Sequence, residues 1–148
     1  MTQERIPPQN IEAEVSVLGA LMLSSDAMNR VADTLRPADF YKPAHSEIYE
    51  AILDLYGRGE PIDVLSVSSR IAERSTLDSV GGSSYLATLV SSVPTASHIE
   101  HYSAIVRKKK ILRDLISASY QIGEMGFDEA SDIDTLLDSA EKKIFQIS

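Results

Sequence analysis

The sequence TASHIEHYSAIVRKKKILRDLISASYQIGEMG occupies residues 95–126 and contains no proline. At about 1.5 Å per residue, one helix over this stretch would be roughly 45 Å long, which is too long for a compact bundle of short helices. Helical periodicity places Ile99, Tyr102 and Val106 on one side, whereas the apolar residues after Lys110 lie on roughly the opposite side. We therefore expect the first half to complete one core and the second half to serve another.

A second helix with an apolar stripe follows after a short break. Ser131, with Asp134 three residues later, resembles the capping box at a helix start. The apolar residues behind it repeat at alternating spacings of four and three, which is typical of a coiled coil. We predict a helical hairpin over residues 95–148, with a long helix over 95–126, a turn over 126–130 and a second helix over 131–148.

Two antiparallel helices cannot cover the apolar residues that both of them carry. The uncovered surface predicts another chain, and we expect the hairpin to associate with a second copy of itself. The candidate residues for this self-association are Ile111, Leu115, Ile122, Ile133, Leu137, Ala140, Ile144 and Ile147.

The preceding part, residues 1–94, is divided by proline, glycine and capping residues into short segments with helical periodicity. Asn10 can cap a first helix that is apolar nearly all round, so we expect it to be central and buried. A second helix is expected to run through Leu35, Pro43 suits the first turn of a third, and Asp63 can cap a fourth. The predicted fold class is all-α: a compact multi-helix globular subdomain followed by a long antiparallel helical hairpin.

Composition narrows the class of function. The chain has 148 residues, no cysteine and a formal net charge of −8. No apolar run approaches the roughly 20 residues that a membrane span needs, and the amino terminus lacks the apolar core of a signal peptide. We expect a cytoplasmic protein without membrane contact. The acidic balance argues against an autonomous nucleic-acid binder, because phosphate affinity depends on clustered Lys and Arg.

No motif for catalysis or cofactor binding is present. Neither Gly57-Arg58-Gly59 nor Gly81-Gly82-Ser83-Ser84 supplies the GxxxxGK[ST] pattern that holds phosphate. His98 and His101 have the spacing of two metal ligands, but no further ligands accompany them. No GxSxG elbow is found among the serines. We predict no catalytic, cofactor or metal site in this chain.

One basic cluster interrupts the acidic composition, at Arg107-Lys108-Lys109-Lys110 with Arg113. The favoured interpretation is a solvated face where the long helix leaves the globular part. The alternative is weak contact with DNA, for which the candidate residues are Arg107, Lys109, Lys110 and Arg113.

Several short blocks follow one another in order along essentially the whole chain. The blocks are Pro7-Pro8, Glu12-Ala13-Glu14, residues 16–23, Asp39-Phe40-Tyr41-Lys42-Pro43-Ala44-His45, residues 59–64, Gly81-Gly82, Tyr85-Leu86, Val93-Pro94-Thr95-Ala96 and residues 102–107. Together they resemble the amino-terminal domain of bacterial replicative DNA helicases of the DnaB type. A run of such blocks is more specific than any one of them, and His98 is one departure, because the family commonly has Asn there.

The resemblance implies that hairpins of neighbouring subunits pair, so that six copies form a collar of three dimers. It also implies that the collar recruits the helicase-binding domain of primase, with a helicase loader as a further partner, and meets DNA only through the complete ring. ATP, Mg²⁺ and strand translocation belong in such helicases to a RecA-type motor, which this sequence lacks. The resemblance therefore implies that this chain by itself is not an enzyme and has no helicase or ATPase activity. Other interpretations are a DNA-contacting module of the ring and a stand-alone helical replication adaptor.

Three residues are candidates for primase contact: Tyr85, Ile116 and Ile122. Ile116 lies beside the arc that is centred on Leu115, and a large side chain there can serve as an anchor. The alternative interpretation places all three in the core of the chain itself, since aliphatic residues on helices usually serve packing.

Overall fold

The computed structural model describes residues 5–74 and 76–147, and every regular element within these ranges is helical. The predicted all-α class is therefore confirmed. Ser148, the predicted end of the last helix, lies outside the described residues. The elements are α1 (Ile11–Leu23), α2 (Ala27–Val31), a 3-10 turn (Pro37–Asp39), α3 (Pro43–Gly57), α4 (Val64–Glu73), α5 (Gly82–Ser91), α6 (Ile99–Met125) and α7 (Ile133–Phe145).

Helix α1 is the centre of the core, as its composition predicted. The Asn10 side chain caps it by accepting a hydrogen bond from the Ala13 amide at 2.9 Å. The helix is buried over most of its length and packs against α5 and α6. Gly19 allows the approach to α5, because a Cβ at this position would overlap the carbonyl of Leu89. Two helix backbones thus meet directly at the middle of the core.

Helix starts follow the residues that favour them. Pro43 is the first residue of α3, where the missing amide hydrogen has no helical partner to lose. Asp63 caps α4 by accepting from the Ser66 amide at 2.7 Å. Gly81 precedes α5 with φ of 105°, a conformation that side chains with a Cβ rarely adopt. These three residues determine where α3, α4 and α5 begin.

The second helix is shorter than predicted. It ends at Val31, and Leu35 lies beyond it, although the Leu35 side chain is buried. The carbonyl of Leu35 accepts a hydrogen bond from the Tyr49 hydroxyl at 2.8 Å. Tertiary packing on α3 thus holds this segment in turns rather than in further helix.

The start of α7 also differs from the prediction. Ser131 does not cap the helix, because its hydroxyl donates to the Asp128 carboxylate at 2.6 Å. The cap is Asp132, whose side chain accepts from the Thr135 amide at 3.2 Å. The hydrogen bonds from Ser131 and Ala130 lower the pKa of Asp128. The turn before α7 is therefore held by hydrogen bonds from Ala130 and Ser131 to the Asp128 carboxylate.

Helix α6 crosses from the globular part into the hairpin. Ile99 and Val106 belong to the core, whereas Ala118 is the one buried residue of α6 beyond Val106. His98 occupies the N-cap position without a capping hydrogen bond from its side chain. No helix of the described chain is long and apolar enough to cross a membrane.

Candidate protein-binding surface

Small and polar side chains line a groove between α6 and α7. The groove has a volume of about 180 Å³ and is open to solvent, and its one buried residue is Ala118. Its lining is Asp114, Ser117, Ala118 and Gln121 from α6, with Lys143 from α7 and Gln146 and Ile147 from the residues that follow α7. The hairpin therefore has little apolar core of its own, and no residue within Ile133–Phe145 is buried.

The large aliphatic side chains of the hairpin lie outward instead. Leu115, Ile133, Leu137 and Ile144 are exposed, with between 47% and 63% of each residue accessible to solvent. Such a distribution is the reverse of a stable isolated hairpin, which would bury these residues between its helices. These four residues are named the aliphatic row, and they form one of the exposed apolar surfaces of the hairpin.

The two halves of the aliphatic row lie on the same side of the hairpin. At 100° per residue, Leu115 is about 60° from Ala118, and Leu137 and Ile144 are about 60° and 40° from Ala140 in the same rotational sense. Because α6 and α7 are antiparallel, the same sense of rotation on each helix directs side chains to one side of the pair. The aliphatic row is thus one continuous surface.

The other residues predicted for self-association lie closer to the chain. Ile111, Ile122 and Ala140 are half-buried beside the aliphatic row. Ile147 lines the groove between the helices, so it packs within the chain.

The residues predicted for primase contact fall on more than one face. Ile116 is exposed together with Tyr120, and both lie about 160° from Ala118, on the outer face of α6. Ile122 is about 120° away from Ile116 and groups with the aliphatic row. The structure therefore does not bring Ile116 and Ile122 together within one chain.

Tyr85 is half-buried on α5. Tyr41 and Lys42, just before α3, lie between Tyr85 and α6. The Lys42 ammonium donates to the Tyr85 hydroxyl at 3.2 Å. The neighbouring Tyr41 ring lies 5.4 Å from the Arg113 guanidinium, one helical turn before Ile116. A surface of two tyrosines and two cations thus extends from Tyr85 towards Ile116.

The basic cluster is not simply a solvated face. Arg107 donates to the Asp39 carboxylate at 2.9 Å. Arg113 donates to the carbonyls of Pro8 and Asp39 at 2.8 and 2.9 Å. Lys110 pairs with Asp114 on the same helix at 2.9 Å. The interpretation as a solvated face is therefore wrong for the two arginines, which attach α6 to the globular part.

Sequence reasoning missed the buried polar residues Glu14, Asp39 and His45, each at most 1% exposed. A signal for Glu14 was present, because a carboxylate within a helix that is apolar nearly all round must find partners inside the protein.

Burial raises the pKa of Tyr49, and the nearby Asp39 carboxylate adds to this effect. Asp39 itself pairs with Arg107, so the charge buried beside Tyr49 is compensated.

No group of three or more His, Asp or Glu side chains that could hold a metal ion occurs in the described ranges. His98 and His101, the two histidines with ligand-like spacing, are both exposed.

A family model, the DnaB-like helicase N terminal domain, matches residues 6–108. The chain belongs to this family. The match covers α1 to α5 and the first part of α6, and it confirms the resemblance to DnaB-type helicases. The chain accordingly corresponds to the N-terminal domain of a replicative DNA helicase.

Curated relatives agree with the family assignment. The replicative DNA helicase DnaC of Bacillus subtilis is 44% identical over the whole of this chain, which covers 33% of that protein. The DnaB helicase of Mycobacterium leprae is 44% identical over 97% of this chain, which covers 24% of that protein. This DnaB-like domain thus spans a third or less of the length of these relatives.

Solved structures extend the likeness into the hairpin. The N-terminal domain of DnaB helicase from Mycobacterium tuberculosis has a TM-score of 0.91 and 45% identity, covering 95% of this chain and 99% of that one. A DnaB-like replicative helicase, described with its interactions with primase, has a TM-score of 0.80 and 27% identity. It is matched over 94% of this chain and 32% of its own length.

Proposed function

We propose that this domain assembles the collar of a replicative helicase ring, and that its hairpin pairs with the hairpin of a second copy. The observation that carries the proposal is the aliphatic row, which lies on one side of a hairpin whose second helix, α7, has no buried residue. Pairing by a two-fold axis would place this row against its copy. Three such dimers would complete a hexameric collar.

The energy of such pairing is adequate for a dimer. Each buried Leu or Ile contributes on the order of 1.5–3 kcal/mol, and a symmetric interface counts each position twice. Part of this gain offsets the entropy that association costs. The half-buried neighbours Ile111 and Ile122 would enlarge the apolar contact.

Sedimentation equilibrium tests this proposal. We expect the domain to form dimers or larger assemblies, and Leu137→Asp to shift it to monomers while its helical circular dichroism is retained. Leu65→Asp is the matched control, because Leu65 is 77% exposed but lies on α4. A wild-type domain that stays monomeric at high concentration would contradict the proposal.

We further propose that this domain recruits primase through its helicase-binding domain. One structural relative is described with its interactions with primase, which supports this partner. The surface that we assign to it runs from Tyr85 to Ile116, whereas Ile122, the third candidate, groups with the aliphatic row and is assigned to the contact between hairpins. Tyr85 is half-buried beside Lys42, and Tyr41 and Ile116 are exposed. Aromatic and aliphatic side chains of this kind serve as anchors in protein interfaces.

Calorimetric titration with the helicase-binding domain of primase tests the assignment. Ile116→Asp should weaken binding at least about tenfold, because a charge would be buried at the contact. Leu65→Asp serves again as the control. Unchanged affinity in a folded Ile116→Asp variant would exclude Ile116 from the contact.

The activity of the full-length protein is a third part of the proposal. The relatives named above are replicative helicases, so we propose that the protein unwinds DNA in the bacterial cytoplasm. ATP and Mg²⁺ would act in a RecA-type motor outside this chain, and a loader would engage the same ring. This chain alone should not hydrolyse ATP, which a phosphate-release assay would test.

A further inference from the structure

A chain of hydrogen bonds runs from the middle of the core to Tyr85. The Glu14 carboxylate accepts from His45 Nδ1 at 2.8 Å, and His45 Nε2 lies 2.6 Å from the Tyr85 hydroxyl. Lys42 Nζ donates to the same hydroxyl oxygen at 3.2 Å. Glu14 also accepts the backbone amides of Tyr41 and Lys42, at 2.7 and 3.3 Å. One network thus joins α1, the start of α3 and α5.

The donors and acceptors of this network can be matched by a consistent assignment of protons. The Lys42 ammonium can only donate, so the Tyr85 oxygen accepts from it and the Tyr85 proton remains available for His45 Nε2. His45 then carries its proton on Nδ1 and donates it to the Glu14 carboxylate. In this assignment each atom that joins the network has a hydrogen-bond partner. Such a complete network holds its members in fixed positions.

The network constrains Tyr85 more than an ordinary half-buried tyrosine. His45 is fully buried, and its ring is stacked on the Tyr85 ring with 8° between the planes and 6.0 Å between the centroids. The Lys42 ammonium lies 4.6 Å from the centroid of the Tyr85 ring. Both the hydroxyl and the ring of Tyr85 are therefore held by partners within the chain.

We propose that His45 is a positioning residue, which holds the Tyr85 ring in the orientation that the primase domain recognises. This inference rests on the proposed contact between Tyr85 and primase. A side chain that is fixed before binding loses less conformational entropy when the complex forms. His45 does not reach the partner itself, and it acts through Tyr85 alone.

The test is a double-mutant cycle on primase affinity. In His45→Asn the side-chain amide replaces Nδ1 towards Glu14 but no longer reaches Tyr85, so affinity should fall about three- to tenfold. His45→Gln places a polar atom near the position of Nε2 and should restore most of the affinity. In a Tyr85→Ala background, His45→Asn should have no further effect, because the residue through which it acts is missing.

Tyr49→Phe is the matched control for the loss of a buried hydrogen bond. The Tyr49 hydroxyl donates to the Leu35 carbonyl within the core and makes no hydrogen bond to the network that holds Tyr85, so its loss should lower thermal stability without changing primase affinity. Tyr85→Phe gives a second measurement that leaves His45 in place, and it should match His45→Asn in affinity.

The possible failures are distinguishable. If His45→Asn weakens binding equally in the wild-type background and in the Tyr85→Ala background, His45 supports the fold in general and the inference is wrong. The inference is also wrong if a folded His45→Asn domain binds primase as the wild type does. If Tyr85→Ala binds primase with unchanged affinity, the proposed contact at Tyr85 fails as well.

Discussion

The carboxylate of Asp39 and the guanidinium of Arg107 are joined by a hydrogen bond of 2.9 Å across 68 positions of sequence. The second oxygen of Asp39 accepts the Arg36 amide at 2.8 Å, and the Asp39 carbonyl accepts from Arg113. Arg107 lies where α6 leaves the core, just after Val106. Asp39 therefore fixes the base of the hairpin to the globular part.

Arg107→Leu should lower the free energy of unfolding by about 1–3 kcal/mol, because it leaves the buried Asp39 carboxylate without its charged partner. Urea unfolding at one fixed protein concentration is the measurement, since self-association also adds to apparent stability. Lys109→Leu, two positions further on, is the control and should change stability by less than about 0.5 kcal/mol. Equal effects of the two variants would contradict this role of Arg107.

Gly19→Ala should destabilise the domain by about 1–3 kcal/mol through overpacking. The added methyl would lie 2.6 Å from a methyl of Val93 and overlap the Leu89 carbonyl, so α1 and α5 would have to separate. Gly123→Ala is the contrasting variant, because nothing lies within 4 Å of a Cβ there. It should stabilise α6 by up to about 1 kcal/mol, since alanine favours helix over glycine. The midpoint temperature of thermal unfolding should therefore fall in Gly19→Ala and rise in Gly123→Ala.

The fold class was accessible from the sequence because the periodicity of apolar residues is a local signal. Asn10, Pro43 and Asp63 act within one turn of their own position, and all three begin helices as predicted. The long α6 followed from the absence of proline and from the change of its apolar side. These features depend on neighbours along the chain.

What the sequence could not reveal depends on partners that are distant along the chain. Arg107 belongs to a run of basic residues, and nothing near it indicates Asp39 as its partner. The cap of α7 moved from Ser131 to Asp132 because Asp128 competes for the serine hydroxyl. Likewise, the stacking of His45 on Tyr85 depends on how α3 packs beside α5. In each case the partner of the side chain depends on contacts that the neighbouring sequence does not show.

His98→Asn should stabilise the domain by about 1 kcal/mol. The first amides of α6 donate no hydrogen bond to the His98 side chain, whereas the side-chain oxygen of an asparagine at the N-cap accepts from them. His101→Asn is the control, because it lies within the helix, where asparagine gains no cap and is a weaker helix former than alanine or leucine. Urea unfolding of both variants tests this, and equal stability of the two would contradict the capping argument.

The isolated domain should bind primase but not DNA. Arg107, Arg113 and Lys110 have partners within the chain, and the net charge is −8, so few cations remain to displace counterions from phosphate. Fluorescence anisotropy with single-stranded DNA at low salt should give a dissociation constant weaker than about 100 µM, at or beyond the weak end of non-specific binding. Lys109→Glu is the variant that tests this, because Lys109 makes no hydrogen bond or ion pair among the described residues. Tighter binding that falls steeply with salt and is lost in Lys109→Glu would instead favour a DNA-contacting collar.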